Sequence, residues 1–483
     1  MSLDEKATSF DGKEENVAQA VVESAVEERR LIRKFDMRIM PIACILYLFA
    51  YLDRTNLGNA RLQGLPQDTL HGDPTGVLFD WVNSVFFFSY IICQVPATIA
   101  SKLFPPRIWI GCATIGWGLC STLMSTAFNF PGLMVARVGL GIFEAGFGPG
   151  IPLYMSFYYT RKEMGVRMAY WFGFAAVAGA FGGLIAFGVQ HIHASVANWR
   201  LLFIIEGCPT VILGVVSMFL LPDRPEETTF LNEQERQLAL ERTNRGLKAD
   251  VGRTINKKHI TAAFKDWRIY AAGVIYFGAN CALASISAFL PTILTTLGFT
   301  SALAQLLTVP PYAVAAIVLC ITSWFSDRLQ SRGLFVAGVS TVAAIGYILL
   351  LTVESNNHVR YFAVFCITSG TYSVIGLVIA WFSHNLGSET KKATGIPMYM
   401  AIGQCGSVLG SHIYPSTEGP HYIKGFAITC ALELLSAIVA IIVSISYRLD
   451  NRERDRKYGM VDPDATVDTS ELADKAPEFR YVP

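Results

Sequence analysis

Twelve long apolar stretches, each near the length needed to cross a bilayer, constrain this 483-residue chain more than any other feature. A helix needs roughly 20 apolar residues to span the hydrocarbon core. Only 16% of the residues are charged, against about a quarter in soluble domains. The sequence therefore predicts an all-α integral membrane protein. Its predicted spans are 37–59, 80–101, 107–128, 132–156, 166–189, 200–221, 268–296, 302–325, 334–353, 359–382, 394–415 and 424–447.

A long polar stretch separates the sixth span from the seventh and divides the chain into two groups of six. Within this stretch the run Asn232–Arg245 has a helical pattern. The end of the chain is charged and poor in apolar residues, which is typical of disorder. We predict five segments: an N-terminal tail 1–36, a six-helix bundle 37–221, a central loop 222–267, a second six-helix bundle 268–447 and a disordered tail 448–483.

Lysine and arginine concentrate on alternate loops, which predicts the orientation of the chain because cytosolic loops carry the excess of these residues. The poorer set of loops holds little beyond Arg61, Arg200, Arg360 and Lys424. We therefore expect both termini and the central loop to be cytosolic, with the plasma membrane as the expected location. The richer set includes Arg29, Arg30, Arg33, Lys34, Arg38, Lys102, Arg107, Arg161, Lys162, Arg167, Arg328, Arg332, Lys391, Lys392, Arg448, Arg452 and Arg454.

Composition and motifs argue against several classes of protein. The net charge of +1 provides no strong basic field for a nucleic acid. All ten cysteines fall in apolar stretches without CxxC or Cys/His metal spacing, so neither a disulfide framework nor a metal site is expected. The sequence contains no nucleophile–base motif and no phosphate-binding glycine loop. We expect no enzyme activity, no cofactor and no obligate protein partner, and we expect the chain to contact the lipid bilayer. We find no apolar signal segment before the first span.

A few ionisable residues lie inside predicted spans, where charge is costly and so indicates function. The first span contains Asp53 and Arg54, and the fourth contains Arg137 and Glu144. At about 1.5 Å per residue, Asp53 and Arg137 lie at similar depths beneath the outer surface and could pair. Glu144 lies two turns further along the fourth helix, near the midplane. These four residues predict a column of carboxylate and guanidinium groups.

Such a column fits the joint binding of a proton and an organic anion. A guanidinium holds a carboxylate through two parallel hydrogen bonds, and a carboxyl group in a low dielectric binds protons more readily. We predict that Asp53 and Glu144 couple protons and that Arg54 and Arg137 bind substrate. Intramembrane ion pairs can also be purely structural. For the further buried acids Glu206 and Glu433, a structural role is at least as plausible.

Uncharged polar residues in the second half extend the predicted substrate site. Tyr276 and Asn280 are one turn apart in the seventh span and share a face, and Asn385 ends the tenth. These side chains could bind the non-anionic part of a substrate, or they could form interhelical hydrogen bonds. The two halves also share a short basic turn after the second helix of each, at 101–111 and 326–333. Internal repeats of this kind are typical of transporters.

Four motifs carry a family resemblance that covers residues 30–455. They are YLDRTNLGNA at 51–60, RVGLGIFEAGFGP at 137–149, WRLLFIIEG at 199–207 and WFSHNLGSETKKA at 381–393. The sequence resembles the anion:cation symporter branch of the major facilitator superfamily, and within it the fungal allantoate permease group. Relatives carry nicotinate, pantothenate, biotin, allantoate, ureidosuccinate, aromatic acids, sulfur-containing acids or small peptides.

The resemblance implies two pseudo-symmetric six-helix bundles, alternating access and proton-driven uptake. It also implies that Asp53 and Glu144 serve proton coupling and that Arg54 and Asn385 belong to the substrate region. The second-half turn keeps the gating charges Asp327, Arg328 and Arg332. The first-half turn departs from the family pattern, because Lys102 and Arg107 flank prolines where an Asp-Arg pair is usual. The charge lock at that gate is therefore either weakened or carried by other residues.

Three functions compete at this point. The leading one is proton-coupled import of a small organic anion such as a vitamin-like or aromatic carboxylate. The second is export of a secondary metabolite or drug by proton antiport, which uses the same fold. The intramembrane arginines favour an anionic cargo and weigh against the exporter. The third is a sensor without transport, for which long soluble tails or a missing charge column would be expected.

Overall fold

The computed structural model describes residues 3–192, 194–244, 247–248, 256–296, 298–353, 356–419, 421–461 and 467–483. Parts of the predicted N-terminal tail, central loop and C-terminal tail, at 1–2, 245–246, 249–255 and 462–466, lie outside the described residues. The helices are α1 (Leu3–Leu62), α2 (Leu65–Thr69), α3 (Val77–Ser101), α4 (Pro106–Met124), α5 (Phe130–Glu144), α6 (Gly150–Met155), α7 (Arg161–Gln190), α8 (Asn198–Leu220), α9 (Glu233–Asn244), α10 (Lys257–Lys265), α11 (Trp267–Thr296), α12 (Ser301–Leu307), α13 (Val309–Leu329), α14 (Arg332–Thr352), α15 (Asn357–Asn385), α16 (Glu389–His412) and α17 (Ile423–Tyr458).

Helices occupy all twelve predicted spans. Among the described residues, nine helical segments are long and apolar enough to cross a membrane by length and composition. The other three predicted spans correspond to α4, to α5 with α6, and to α16. Large apolar side chains project outward, including Ile92, Val135 and Phe219, which is expected where lipid is the solvent. The helical run predicted at Asn232–Arg245 is α9.

The membrane helices pack as two groups of six. In the first half α4 packs against α5 and α8, α3 packs against α5, and α1 packs against α7 and α8. In the second half α11 packs against α16 and α17, while α14 packs against α15 and α17. The two groups meet through α3 with α16, α7 with α13, and α1 with α11. A substrate site in this architecture lies between the two groups.

Proline, glycine and capping residues explain where two predicted spans break. The side chain of Asn129 accepts a hydrogen bond from the Gly132 amide at 3.0 Å and starts α5. The span predicted as continuous over 132–156 is interrupted after Glu144, and α6 begins at Gly150 after Pro149. The span at 302–325 is also divided, because α13 begins at Val309 with proline in its first turn.

A close helix approach joins the two halves beside the predicted column. A Cβ atom on Gly58 of α1 would lie 2.8 Å from the carbonyl oxygen of Ser287 and 3.0 Å from that of Ala288, both in α11. Any side chain there would meet backbone that cannot move aside as a flexible side chain does. Glycine therefore permits this contact between the halves.

The expectation of a disordered C-terminal tail is wrong for most of its length. The helix α17 continues to Tyr458, and residues 467–483 fold back onto the end of the second bundle. The Arg454 guanidinium donates to the carbonyl oxygens of Asp474, Ala476 and Phe479 at 2.9, 3.2 and 2.7 Å. Phe479 is fully buried. Composition missed this because only a few apolar residues of the tail, such as Phe479 and Tyr481, are buried at the contact, whereas others such as Met460 stay exposed.

The same tail also links the central loop to the second bundle. A two-residue parallel pairing joins β1 (Leu247–Lys248) to β2 (Val467–Asp468). The ammonium of Lys391, at the start of α16, lies 2.6 Å from Asp474 and 2.7 Å from Asp266. Burial, and secondly the charge of Asp474, raise the pKa of the Tyr481 phenol, so this group remains a neutral hydrogen-bond donor at neutral pH.

Candidate functional site

An arginine–glutamate pair lies at the centre of the first bundle. The Arg54 Nε and Nη2 atoms lie 2.6 and 2.5 Å from the same oxygen, Oε1 of Glu144. The rings of Phe86 and Tyr90 face the guanidinium, with centroids 5.2 and 4.9 Å from its central carbon. The Glu144 side chain is 1% exposed, whereas that of Arg54 keeps 15%. The arginine therefore remains accessible while its partner does not.

Arg54 lies at the wall of a cavity between the two halves, in which the space free of protein atoms, including the part open to solvent, is about 430 Å³. The wall combines one guanidinium, three amides, three hydroxyl-bearing aliphatic side chains and two aromatic rings. Such a mixture suits a small molecule with one anionic group and a partly apolar body. The lining residues are Tyr51, Arg54, Thr55, Gly58, Asn83, Phe87, Asn280, Leu283, Ala284, Ser287, Ala288, Gln404 and Ser407.

Asp53 and Arg137 do not form the pair that their depths suggested. Asp53 is fully buried and accepts hydrogen bonds from Ser121 of α4 at 2.5 Å and Thr210 of α8 at 3.2 Å. Successive residues of a helix point about 100° apart, so Asp53 faces α4 and α8 while Arg54 faces α5 and the cavity. The position of a residue along a helix gives its depth in the membrane but not the direction in which its side chain points. For this reason the sequence could not exclude a pair between Asp53 and Arg137.

Arg137 is held in the bundle without a direct partner. Its side chain is 1% exposed, and its central carbon lies 6.0 Å from the Phe86 ring centroid. Its Nε atom has no hydrogen-bond partner among the described residues. The second oxygen of Glu144, Oε2, is likewise buried without a partner in the described part of the chain. The Arg137 guanidinium and the Glu144 Oε2 atom can therefore each form a hydrogen bond with a group outside the described residues, such as a bound ligand.

The structure places the three polar candidates of the second half differently. Asn280 lines the cavity and donates to the Tyr276 carbonyl at 2.8 Å. Tyr276 itself packs edge-on against Tyr399, behind the cavity wall. Asn385 lies outside the cavity: it donates to the Val482 carbonyl at 2.9 Å and accepts from the Val482 amide at 2.9 Å. In this conformation Asn385 contacts the C-terminal tail.

Two of the three predicted gating residues are brought together. Arg332 is buried and lies 2.5 Å from Asp327 and 3.4 Å from the His384 ring. Arg328 points away from them and lies exposed over the Trp324 ring, at 5.3 Å. The spacing of the turn allows one arginine, rather than both, to reach the aspartate.

Glu389 is a residue between the two halves that the sequence reasoning did not single out. Its carboxylate lies 3.8 Å from Lys102 of the first bundle and 3.8 Å from Arg224 of the central loop. Lys102 also donates to Thr390 at 3.1 Å and is 1% exposed. A lysine of the first-half turn and an acid of the other half thus lie in contact at the turn where the sequence left the charge lock open. Lys102, which departs from the family pattern, was the one indication in the sequence of a different contact at this turn. Its partner Glu389 could not be identified because it is distant in sequence.

Hydrogen bonds across the halves close the opposite side of the cavity. Asn83 of α3 donates to Ser411 of α16 at 2.8 Å. Among the described residues, no group of three or more histidine, cysteine, aspartate or glutamate side chains is arranged to hold a metal ion.

The sequence model of the Major Facilitator Superfamily matches residues 43–411. The chain belongs to the major facilitator superfamily. The curated superfamily relatives include the major facilitator-type transporter hxnP of Emericella nidulans, 33% identical over 464 residues that cover 94% of this chain and 93% of the relative. The high-affinity nicotinic acid transporter of Saccharomyces cerevisiae is 31% identical, covering 94% of this chain and 85% of the relative.

Solved superfamily structures share this fold. The proton:xylose symporter XylE bound to 6-bromo-6-deoxy-D-glucose has a TM-score of 0.68 at 13% identity, covering 92% of this chain and 98% of XylE. The human organic anion transporter MFSD10 has a TM-score of 0.62 at 12% identity, covering 84% of this chain and 98% of that one. The predicted major facilitator fold, with twelve helices in two six-helix bundles, is confirmed, and the chain is a multi-pass membrane transporter. The narrower allantoate permease group remains a prediction.

Proposed function

We propose that the chain imports a small organic anion together with protons, across the plasma membrane and with both termini in the cytosol. The observation that carries the proposal is the Arg54–Glu144 pair at the wall of the cavity. Nicotinic acid, the cargo printed in the name of the yeast relative, is a small aromatic carboxylic acid. Carboxylates of this class are therefore the proposed cargo.

The pair gives a direct route to coupling. Glu144 occupies the Nε–Nη2 edge of the Arg54 guanidinium, one of the two edges through which it can hold a substrate carboxylate. Protonation of Glu144 removes its negative charge and weakens its hold on the guanidinium. The freed fork then binds the substrate carboxylate through two hydrogen bonds. Proton binding and anion binding thus favour each other, which is the requirement for symport.

The rest of the wall orients the remainder of the cargo. Asn280, Gln404 and Ser407 present amides and a hydroxyl opposite Arg54, from the second bundle. Phe87 and Tyr51 provide aromatic surface against which a flat ring can pack. A cargo that contacts both halves favours their closure around it, as alternating access requires.

Uptake of labelled nicotinate, pantothenate, biotin and allantoate by cells that express the protein tests the proposal. Uptake of at least one of these should be faster at about pH 5 than at about pH 7.5 and sensitive to an uncoupler. Glu144→Gln should abolish the pH dependence, and Arg54→Ala should abolish uptake. Absence of any carboxylate uptake, with the protein at the cell surface, would contradict import and direct attention to export.

A further inference from the structure

A second buried acid of the first bundle has no place in the coupling scheme above. Glu206 of α8 is 1% exposed, and neither of its carboxylate oxygens has a hydrogen-bond partner among the described residues. An ionised carboxylate in a low dielectric without donors costs several kcal/mol, and such a group takes up a proton instead. Glu206 is therefore neutral in this conformation and holds a proton.

Asp53 is the acid that acts electrostatically on Glu206, and one threonine contacts the Asp53 carboxylate and the Glu206 main chain. The Thr210 hydroxyl, one turn further along α8, lies 2.9 Å from the Glu206 carbonyl oxygen and 3.2 Å from the Asp53 carboxylate. Asp53 also accepts from Ser121 at 2.5 Å. Ser121 donates to Asp53, and Thr210 shares its one hydroxyl hydrogen between Asp53 and the Glu206 main chain, whereas the Glu206 carboxylate has no donor among the described residues. The proton of this acid pair therefore resides on Glu206.

The surrounding charges agree with this assignment. The groups that act electrostatically on Asp53 include Glu144 and Arg137 of α5, and Asp53 of α1 is the group that acts on Glu206. From α4 the pair meets the Ser121 hydroxyl, and no charged side chain of α4 or α7 acts on Glu206 among the described residues. No cation is therefore at hand to hold Glu206 in its ionised form.

Counting the charges of the cluster around the Arg54–Glu144 pair gives a consistent total. The cluster holds two guanidinium groups, of Arg54 and Arg137, and three carboxyl groups, of Asp53, Glu144 and Glu206. With one proton on Glu206 the cluster is neutral, which low-dielectric surroundings favour. A substrate anion adds one negative charge, and the proton taken up by Glu144 cancels it. The loaded cluster then carries two protons and one anion.

We propose that Glu206 is a second proton-carrying site, so that each monovalent anion enters with two protons and one net positive charge. The inference rests on the proposed symport. Glu206 releases its proton on the inner side in each cycle, and the empty carrier returns with one net negative charge in the cluster.

The test is electrogenic transport of labelled nicotinate into proteoliposomes with equal pH on both sides. A potassium diffusion potential, inside negative, should drive the wild-type protein to accumulate nicotinate. A tenfold accumulation corresponds to about 60 mV for one net charge. In Glu206→Gln the glutamine mimics the protonated acid and cannot release the proton. This variant should keep pH-driven uptake but show no accumulation driven by potential, while Glu206→Asp should regain it.

Glu433→Gln is the matched control, because Glu433 of α17 is also fully buried with both oxygens unpartnered among the described residues, but lies in the other bundle near Ser340 and Thr371. It should respond to potential as the wild type does. A wild-type protein with pH-driven uptake and no response to potential overturns the inference and leaves the symport intact. So does a Glu206→Gln variant that still responds, or an equal loss in Glu433→Gln. Absence of pH-driven uptake in the wild type counts against the proposed function itself.

Discussion

At the scale of single residues, the direction of a side chain decides its role more than its depth in the membrane. Asp53 and Arg54 are neighbours in sequence, but one is buried among hydroxyl groups and the other faces the cavity. Arg54 is accordingly the group placed to meet a substrate anion, and Asp53 is not. Two nitrogen atoms of Arg54 contact the same oxygen of Glu144. The other oxygen, Oε2, has no hydrogen-bond partner within the described part of the chain.

Replacing Arg54 by lysine tests whether the fork of the guanidinium, and not its charge alone, binds the cargo. Lysine keeps the positive charge but presents a single nitrogen. Loss of one charge-assisted hydrogen bond costs roughly 1.5–3 kcal/mol, so the KM for the carboxylate should rise about tenfold or more. The measurement is the concentration dependence of uptake at equal surface expression.

Arg236 provides the control for this change. It is a partly exposed residue of α9 that donates to Glu233 and to the Thr228 carbonyl oxygen. Arg236→Lys should leave the KM unchanged, because the side chain lies far from the cavity lining. An unchanged KM in Arg54→Lys would show that the cargo is held by charge alone or by other groups.

At the scale of helices, the sequence predicted the positions of the membrane helices, because these depend on local composition. All twelve spans coincide with helices, since each needs only a local run of apolar residues. The partner of Lys102 was not predictable, because Glu389 comes from the other half of the chain. The docked tail was missed for a similar reason. Contacts such as those of Asn385 with Val482 depend on which surface of the bundle the C-terminal tail packs against, and local sequence does not specify that surface.

The C-terminal tail should stabilise the second bundle through Arg454. Arg454→Ala removes the donor of three carbonyl groups of the tail. We expect the melting temperature of the detergent-purified protein to fall by a few degrees, because hydrogen bonds from a charged group contribute about 1.5–3 kcal/mol. Differential scanning fluorimetry measures this change.

A second arginine of the same helix is a suitable control. Arg452 is exposed, and no hydrogen bond from its side chain is seen among the described residues. Arg452→Ala should leave the melting temperature within about one degree, as most surface substitutions do. Equal effects of the two alanine variants would show that the tail does not stabilise the bundle through Arg454.

At the scale of the whole molecule, two bundles meet around the cavity, and the proposed transport requires them to separate at one end and then at the other. The Glu389 cluster joins the halves at one end, and the Asn83–Ser411 hydrogen bond joins them near the other. Gly58 permits α1 and α11 to touch beside the cavity. Transport requires these contacts to form and break in turn, so they should tolerate little added volume.

Adding a side chain at Gly58 tests whether this close approach is needed. Gly58→Val would place its Cβ 2.8 Å from the Ser287 carbonyl oxygen, so the halves must separate there. We expect uptake to fall about tenfold or more while surface expression persists, since overpacking of this kind costs roughly 1–3 kcal/mol. Initial uptake rates of the two proteins measure the effect.

Gly338 of α14 is the matched control, because a Cβ atom there would meet no other atom within 4 Å. Gly338→Val should transport at the wild-type rate. Wild-type uptake by Gly58→Val would show that the bundles need not approach at this point.

The most direct test of proton-coupled anion import is the pH change inside proteoliposomes when the anion is added. The purified protein is reconstituted with an enclosed pH-sensitive dye and no imposed gradient, with potassium and valinomycin present to clamp the potential. Addition of nicotinate outside should acidify the interior in the wild type and leave it unchanged in Arg54→Ala. Entry of labelled nicotinate without any acidification would contradict the account, because the anion would then cross without protons.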